Sequence, residues 1–279
     1  MAKRRLDTLL AERGLFPSRT RAAASVMAGE VRIGGPQGRR AAKPGELVDA
    51  QELLALDQLP QFVSRGGVKL ANALEGSGVG VAGRLALDVG ASTGGFTDCM
   101  LQRGAREVIA VDVGYGVLDY SLRRDPRVRV LERTNARALT PALLGEPATR
   151  AQAAPPGAQQ PPDLATIDVS FISLEKVLAP VIGCVQGDYD VLALIKPQFE
   201  LGRGRVGKGG VVRDPAARRE ALLAVGLFAA GLGLRVRGYH SSGLPGPKGN
   251  RETFIHLTRP CGAPQQEQEL ERLAREVEP

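Results

Sequence analysis

The segment 84–97 (RLALDVGASTGGFT) joins an apolar strand to a glycine-rich turn, a pattern that lets the backbone approach a ligand at the start of the next helix. Asp88 precedes the turn, and the following strand ends in a second acid, Asp112. A carboxylate at that second position can accept hydrogen bonds from both hydroxyls of a ribose. The turn and its two acids therefore predict a cofactor that contains adenosine, which fits both NAD and S-adenosylmethionine.

Two features of the turn favour S-adenosylmethionine over a dinucleotide. The dinucleotide fingerprint requires a G-x-G-x-x-G spacing, and this chain has Ser92 where the second glycine would stand. The acidic Asp88 suits the positive ammonium and sulfonium of S-adenosylmethionine better than it suits a pyrophosphate. The candidate cofactor-binding residues are Asp88, Gly90, Ser92, Gly94, Gly95, Phe96, Asp112 and Asn135.

Two other interpretations of the turn compete with a cofactor site. Residues 90–94 match G-x-S-x-G, the nucleophile elbow of hydrolases, with Ser92 as the nucleophile and His240 or His256 as the base. However, His256 falls inside a predicted strand, and an elbow is expected later in the sheet than its first strand. The other alternative is a turn that binds no ligand, which the flanking acids disfavour.

Four charged side chains interrupt apolar or glycine-rich surroundings and form the candidate catalytic set. Asp168 and Lys196 each end an apolar strand, Lys69 lies near the start of a helix, and Glu252 opens the last strand. Ligands bind beyond the carboxyl ends of strands in open α/β sheets, so Asp168 and Lys196 should face the same crevice as the glycine turn. Each residue alone could be a surface charge or part of an ion pair, and their grouping with the turn is what indicates a function.

Strands that alternate with helices from residue 63 onward predict a parallel α/β sheet that would position these side chains. The candidate strands are 85–90, 107–113, 127–133, 163–170, 190–196, 234–241 and 252–259, and the candidate helices are 68–77, 96–104, 173–184 and 214–233. The last two strands have no helix between them, so they should form an antiparallel hairpin. A stretch at 150–162 that is rich in Ala, Pro and Gln predicts a surface insertion.

The N-terminal segment is strongly basic. Residues 1–43 carry ten Lys and Arg against three Asp and Glu, an excess of seven that equals the net charge of +7 of the whole chain. Such a block favours a polyanionic partner, most often nucleic acid. Two short helices within 5–29, a strand at 30–35 and a turn with a strand at 41–50 predict a small α+β unit.

Other classes of protein are disfavoured. Cys99, Cys184 and Cys261 are far apart and have no metal-ligand spacing to His240 or His256, so we expect neither a disulfide framework nor a metal. No run of about 18 apolar residues occurs, and the N-terminal segment lacks the apolar core of a signal peptide. We therefore expect a soluble cytoplasmic protein, whose oligomeric state the sequence does not indicate.

The chain resembles the TlyA-type ribosomal RNA 2′-O-methyltransferases, which are also called haemolysins. The similar blocks are RLDTLLAERG, SRTRAAASVMAGEVRIGG, FVSRGGVKLANAL, LALDVGASTGGFTDCML, VIAVDVGYGVLDY, ATIDVSFISL, LALIKPQFE and GNRETFIHL. The first two resemble the small RNA-binding module of a small-subunit ribosomal protein, and the others resemble successive blocks of the methyltransferase. The Lys-Asp-Lys-Glu tetrad of the FtsJ type falls on Lys69, Asp168, Lys196 and Glu252.

The resemblance implies a fold, a domain order and a reaction. The fold would be an α/β, Rossmann-like, seven-stranded methyltransferase sheet with a small α+β RNA-binding domain. The domains would be an RNA-binding domain 1–58, a linker 59–63, a methyltransferase domain 64–260 and a polar tail 261–279. The reaction would transfer a methyl group from S-adenosylmethionine to a ribose 2′-hydroxyl of ribosomal RNA, with cytidine as the nucleoside. The alternatives are a membrane-active haemolysin and a ribosome-binding protein without catalysis.

Methyl transfer to a hydroxyl requires alignment of the reacting atoms and removal of a proton. We expect Lys196 nearest the 2′-oxygen, either as a base when neutral or as a stabiliser of the developing alkoxide when charged. The expected partners are ribosomal RNA or ribosomal subunits, with no metal and no membrane. The basic stretch 202–213 predicts either a loop that closes over the substrate or a solvated surface loop. The residues expected to contact RNA are Arg4, Arg5, Arg19, Arg21, Lys43, Ser64 and Arg65.

Overall fold

The structure is a computed structural model that describes residues 3–56, 61–145, 161–207, 209–246 and 248–278. Contacts within the chain divide it into two compact units, Met1–Gln61 and Phe62–Pro279. Each unit buries its own hydrophobic core.

The first unit packs two helices against short antiparallel strands. The two helices each turn apolar side chains inward, so that Leu6, Leu10 and Val26 are buried. Ser18 caps the second helix, as its side chain accepts a hydrogen bond from the backbone N–H of Arg21. Strands β1 and β4 pair with each other, and β3, β2 and β5 form a three-stranded sheet. The elements are β1 (Lys3–Arg5), α1 (Leu6–Glu12), α2 (Arg19–Met27), β2 (Val31–Ile33), β3 (Arg39–Arg40), β4 (Leu47–Asp49) and β5 (Leu54–Leu56).

The second unit is built on a seven-stranded sheet in the order β11-β12-β10-β9-β6-β7-β8. Strand β12 runs antiparallel to both neighbours, and the other strands are parallel. The chain moves outward from β6 to β7 and β8, and then returns to the other side of β6 as β9. This reversal opens a crevice beyond the carboxyl ends of β6 and β9, where open α/β sheets bind ligands. The strands are β6 (Leu85–Val89), β7 (Glu107–Val111), β8 (Val128–Leu131), β9 (Leu164–Ile167), β10 (Asp190–Ile195), β11 (Arg235–Ser241) and β12 (Thr253–Thr258).

Helices cover both faces of this sheet. Strand β6 is buried throughout, and its residues alternate between two core clusters, with Leu87 in one and Ala86 in the other. The helices are α3 (Arg65–Ser77), α4 (Gly95–Gln102), α5 (Tyr120–Arg124), α6 (Pro141–Gly145), α7 (Leu178–Ile182), α8 (Pro197–Glu200), α9 (Pro215–Gly231) and α10 (Glu267–Val277), with single 3-10 turns at Ala136–Ala138, Leu174–Lys176 and Arg203–Arg205.

The predicted fold class is confirmed, since the seven expected strands form one sheet and the last two make the antiparallel hairpin. The prediction of one helix over 173–184 is wrong. A 3-10 turn at Leu174–Lys176 precedes α7, so that Pro180 falls in the first turn of a new helix, where its missing N–H costs no hydrogen bond. The predicted insertion at 150–162 lies outside the described residues except for its last two.

Candidate active site

Two lysine–carboxylate pairs lie at the edge of the sheet where β9 and β10 end and β12 begins. Lys196 Nζ is 2.6 Å from Asp168 Oδ1 and donates a hydrogen bond of 2.8 Å to Ser170 Oγ. Lys69 Nζ donates to Glu252 Oε2 at 2.5 Å. Both lysines and Glu252 are buried, whereas Asp168 is half-buried. Pairing with carboxylates is what allows two ammonium groups to be held away from water.

The sheet register gathers these residues at one edge. Ile195 on β10 is paired with Thr253 on β12, so Lys196 and Glu252 occupy the next position along the two neighbouring strands. Asp168 follows the end of β9, the parallel neighbour on the other side of β10. The structure therefore brings together the four charged residues that the sequence singled out.

A cavity of about 530 Å³ opens beside Asp168 at the carboxyl ends of β6, β7 and β9. This volume lies within the range of small-molecule sites. Asp168 belongs both to the cavity wall and to the pair with Lys196. Four predicted cofactor-binding residues line the cavity, and these are Gly90, Ser92, Asp112 and Asn135. Its apolar lining includes Val113, Ile172 and Val177.

Asp112 holds the turn that follows β6. Its Oδ2 accepts a hydrogen bond from the Ser92 N–H at 2.8 Å, and its Oδ1 accepts one from the Gly114 N–H at 2.7 Å. Gly90 has a φ of 87°, and a Cβ there would lie 2.6 Å from the carbonyl oxygen of Asp168. Only glycine therefore lets the ends of β6 and β9 approach this closely.

Asp88 lies beneath the turn and is not part of the cavity lining. It is fully buried and accepts hydrogen bonds from Thr97 Oγ1 at 2.6 Å and Thr166 Oγ1 at 3.1 Å. Burial raises the pKa of Asp88 to about 7. This placement does not support the argument that Asp88 faces the positive charge of a cofactor, since the carboxyl group instead joins β6 to α4 and β9.

Gly94, Gly95 and Phe96 also lie outside the cavity lining. A Cβ on Gly95 would lie 2.3 Å from Ser64 Oγ, so this glycine allows α3 and α4 to approach closely. Gly94 has a φ of 94°, and Phe96 packs in the core with its ring centroid 5.6 Å from that of Phe254. These three residues shape the turn through packing.

Ser170 and Phe171 follow Asp168 on one loop and were not among the residues predicted from the sequence. Ser170 accepts the second hydrogen bond of Lys196, and Phe171 lines the cavity while remaining 91% exposed. The φ of Phe171 is 63°, which is uncommon for a bulky residue, and its ring centroid is 5.2 Å from that of Phe199. An aromatic residue three positions after a strand-end acid was the available signal. The exposed ring offers a face on which a base could stack.

In the first unit, two predicted RNA contacts share a buried carboxylate. Arg5 Nη2 is 2.8 Å and Arg19 Nε is 3.1 Å from Asp7 Oδ2, while both arginine side chains stay about half exposed. The hydrogen bond from Arg5 is the largest cause of a pKa of Asp7 well below its usual range. The two guanidinium groups are thus held in place while remaining available to solvent.

The other predicted RNA contacts lie in different settings. Arg4 pairs with Glu12 at 2.5 Å on the exposed surface, and Lys43 is exposed. Arg21 is half-buried on α2. In the second unit Ser64 is the residue before α3 and Arg65 Nη2 donates to the Pro245 carbonyl at 2.8 Å.

Two family models match the chain. Residues 62–259 match the FtsJ-like methyltransferase model, and residues 4–54 match the S4 domain. The chain belongs to the FtsJ-like methyltransferase family. The FtsJ-like match includes the cavity and both lysine–carboxylate pairs.

Three proteins match this FtsJ-like chain over more than 90% of the length of both partners. It is 49% identical to the Mycobacterium tuberculosis protein named 16S/23S rRNA (cytidine-2′-O)-methyltransferase TlyA, over 92% of this chain and 91% of the relative. It is 44% identical to the Bacillus subtilis protein provisionally named rRNA methyltransferase YqxC, over 99% and 93%. A solved Streptococcus thermophilus structure, provisionally named a haemolysin, matches with a TM-score of 0.72 and 38% identity over 99% of this chain and 96% of that one.

The geometry of the FtsJ-like domain disfavours the hydrolase alternative. His256 hydrogen-bonds to Asp190 at 2.7 Å, and Asp190 is the first residue of β10, at the opposite end of that strand from Lys196. His240 lies on β11, four strands from β6, which is roughly 19 Å. Neither histidine is placed to activate Ser92. As for the haemolysin alternative, none of the described helices is both long and apolar enough to cross a bilayer.

Proposed function

We propose that this FtsJ-like protein transfers a methyl group from S-adenosylmethionine to a ribose 2′-hydroxyl of ribosomal RNA, with cytidine as the target nucleoside. Family membership supports the reaction class, the names of the relatives support the target, and the S4 domain supports an RNA substrate. The observation that carries the proposal is Asp168, which lines a cavity of cofactor size and also pairs with Lys196.

The residues around the cavity fit S-adenosylmethionine. Asp112 stands at the end of β7, where a carboxylate can accept hydrogen bonds from ribose hydroxyls, and Asn135 adds an amide. Asp168 supplies a negative charge that suits a sulfonium, and Ile172 and Val177 offer an apolar wall to the adenine. Bound there, the cofactor would supply a methyl group that its positive sulfur already activates.

Lys196 is the residue that we place at the 2′-oxygen. That hydroxyl is a poor nucleophile because it stays protonated near neutral pH. The enzyme must therefore position the hydroxyl and assist the loss of its proton. Asp168 and Ser170 fix Nζ at the rim of the cavity. A neutral amine there accepts the proton from the 2′-oxygen, whereas an ammonium stabilises the negative charge that develops on that oxygen while its proton passes to water. In both cases the same atom of Lys196 acts.

The neighbouring Lys69–Glu252 pair has a positioning role in this proposal. Glu252 sits one strand away from Lys196, and the buried ion pair fixes a second ammonium at the same edge of the sheet. Fixed polar groups of this kind hold the ribose for in-line transfer without reorganising during the reaction.

RNA would be bound by both units. In the first unit the phosphate contacts are assigned to Arg4, Arg5, Arg19, Arg21 and Lys43. In the second unit Ser64 and Arg65 would lie near the target nucleotide, and the exposed ring of Phe171 would stack on a base. Because phosphate contacts release counterions, affinity should fall steeply with salt. Ribosomal RNA or a ribosomal subunit is the proposed partner, and the cytoplasm is the proposed place of action.

A map of 2′-O-methylated riboses in ribosomal RNA, from cells with and without the gene, tests this function. A methylated cytidine that disappears with the gene would support it, provided that purified protein and tritiated cofactor restore the mark on unmodified subunits. An unchanged map, together with no transfer of tritium by the pure protein, would overturn it.

A further inference from the structure

The segment expected to be a polar tail ends in a buried ion pair. Helix α10 packs against the rest of the second unit through Leu270 and Ala274, which are buried. Glu278, the residue after the helix, is only 4% exposed. Its Oε1 and Oε2 accept hydrogen bonds from Arg218 Nε at 2.7 Å and Nη2 at 2.8 Å. A bidentate arginine–carboxylate ion pair of this geometry is among the stronger polar contacts in proteins.

The guanidinium of Arg218 connects this pair to the basic loop that follows β10. Its Nη1 donates to the Arg213 carbonyl at 2.6 Å and to the Val212 carbonyl at 3.4 Å. Arg218 is 7% exposed, so these contacts lie away from water. One guanidinium therefore ties the end of α10 to residues 212 and 213.

Asn250 binds the same loop from the other side. Its Oδ1 accepts a hydrogen bond from the Val212 N–H at 2.9 Å, and its Nδ2 donates to the Gly210 carbonyl at 2.8 Å. Its backbone carbonyl accepts from the Gly246 N–H at 2.8 Å. Asn250 is 3% exposed and stands two residues before Glu252.

The contacts of Gly246 bring this network to the lysine–carboxylate pair. A Cβ on Gly246 would lie 2.3 Å from Glu252 Oε1, so the backbone at this point packs directly on that carboxylate. The other oxygen of Glu252 holds Lys69. A continuous set of short contacts thus runs from Glu278 through Arg218, residues 210–213 and Asn250 to the carboxylate of Glu252.

We propose that Glu278 is a positioning residue for methyl transfer. Through Arg218, Glu278 fixes the loop 209–213 against Asn250. Asn250 in turn fixes the backbone of Gly246, which packs on the Glu252 carboxylate. Loss of the Glu278 charge leaves the guanidinium of Arg218 buried without its counter-charge. The loop 209–213 and the Glu252 carboxylate would then both be held less firmly. This assignment rests on the proposed function for its catalytic consequence, while its structural consequence can be measured without any reaction.

The test compares Glu278→Gln with Glu276→Gln in the full chain. Glu276 lies two residues earlier, in the last turn of α10, but forms an exposed pair with Arg272, so it is the matched control. Methyl transfer at saturating RNA is expected to fall about tenfold or more for Glu278→Gln, because small displacements at a reacting centre have large effects on rate. KM for RNA should change little, and Glu276→Gln should match the unaltered protein.

Hydrogen exchange separates a positioning role from a merely structural one. In Glu278→Gln the amides of 210–213 and 249–252 should exchange faster, while those of β6 and β7 keep their protection. Uniformly faster exchange, or unchanged turnover with a loosened loop, would overturn the proposal. If Glu278→Gln does not fold, Glu278→Asp keeps the charge but withdraws it by one methylene, and it should show the same local pattern with a smaller loss of turnover. An unaltered protein that transfers no methyl group would refute the proposed function, whereas the exchange pattern would still decide the role of Glu278.

Discussion

Asp168 Oδ1 lies 2.6 Å from Lys196 Nζ although the two residues end different strands, and Asp168 also lines the cavity at the carboxyl ends of β6 and β7. The side chain of Lys196 is 9% exposed and that of Asp168 is 24% exposed, so water screens the pair only partly. Substitution of Asp168 would therefore disturb the cavity and the lysine at once. Substitution of Lys196 tests the transfer step by itself, because Lys196 is not among the residues that line the cavity.

Lys196→Ala is expected to lower the rate of methyl transfer at least about 100-fold, since it removes the amine that assists deprotonation of the 2′-hydroxyl. Lys196→Arg should fail to a similar degree, because a guanidinium stays protonated and has a different shape. Tritium transfer to unmodified ribosomal subunits measures the activity. Calorimetric titration with S-adenosylmethionine should give a Kd close to that of the unaltered protein.

Lys176 supplies the control for this pair of variants, because it is an exposed lysine on the 3-10 turn at Leu174–Lys176. Lys176→Ala should retain full transfer. Near-normal activity in Lys196→Ala would remove Lys196 from the mechanism, and a lost affinity for the cofactor would assign it to binding instead.

The effects of substituting Lys69 and Glu252 on the free energy of unfolding should be strongly coupled. Glu252→Gln leaves Lys69 buried without a counter-charge, and we expect the free energy of unfolding to fall by roughly 3–5 kcal/mol. The double variant Lys69→Met/Glu252→Gln should be less destabilised than the sum of the two single variants, with a coupling of about 1–3 kcal/mol. Urea unfolding of all four proteins measures the cycle. Simple additivity would show that the 2.5 Å contact contributes nothing to the fold.

The sheet could be predicted from the sequence because its strands are continuous apolar runs bounded by turns, as LALDV and DVLALI show. Two short strands of the first unit, β1 and β3, could not, whereas β2 and β4 fall inside the strands predicted at 30–35 and 41–50. Strands β1 and β3 consist of exposed Lys and Arg residues and form only because partner strands complete their hydrogen bonds. Local composition carries no signal for such pairing, which depends on residues distant in the chain.

The part of the candidate site that lies at strand ends could be predicted from the sequence, because the strands themselves could be. Lys196 and Asp168 could be placed because strand ends in a parallel sheet share one edge. Asp88 could not, since the direction in which a buried carboxyl group points depends on Thr97 and Thr166, which lie on two other elements. The link from Glu278 to Glu252 likewise needs five segments in three dimensions, and no spacing in the sequence indicates it.

Asp88 predicts an unusual dependence of stability on pH. Its pKa in the folded protein is raised to about 7, above the 3.8 of an unperturbed carboxyl, so the folded state retains a proton that the unfolded state releases. Its contribution to stability is present in full below about pH 4 and is lost as pH rises toward 7. In Asp88→Asn this loss should disappear, because the amide does not titrate.

Urea unfolding at pH 5 and pH 8 tests the role of Asp88. The unaltered protein should lose more stability between the two values than Asp88→Asn does, by an amount on the order of 1–3 kcal/mol. The comparison uses the change between pH values, so any constant effect of the amide cancels. Parallel pH profiles for the two proteins would contradict a raised pKa at this position.

Asp7→Asn should weaken RNA binding even though it makes the basic unit more positive. The Asp7 carboxylate holds Arg5 and Arg19, and without its charge the two guanidinium groups lose their fixed positions. Affinity for a ribosomal RNA fragment should fall, and the slope of log K against log salt should become shallower by about 1 for each phosphate that the arginines no longer neutralise. Glu12→Gln removes the same charge from the exposed partner of Arg4, so it should bind at least as tightly as the unaltered protein. Equal affinity and equal salt slopes for the two variants would show that net charge, and not the orientation of Arg5 and Arg19, governs binding.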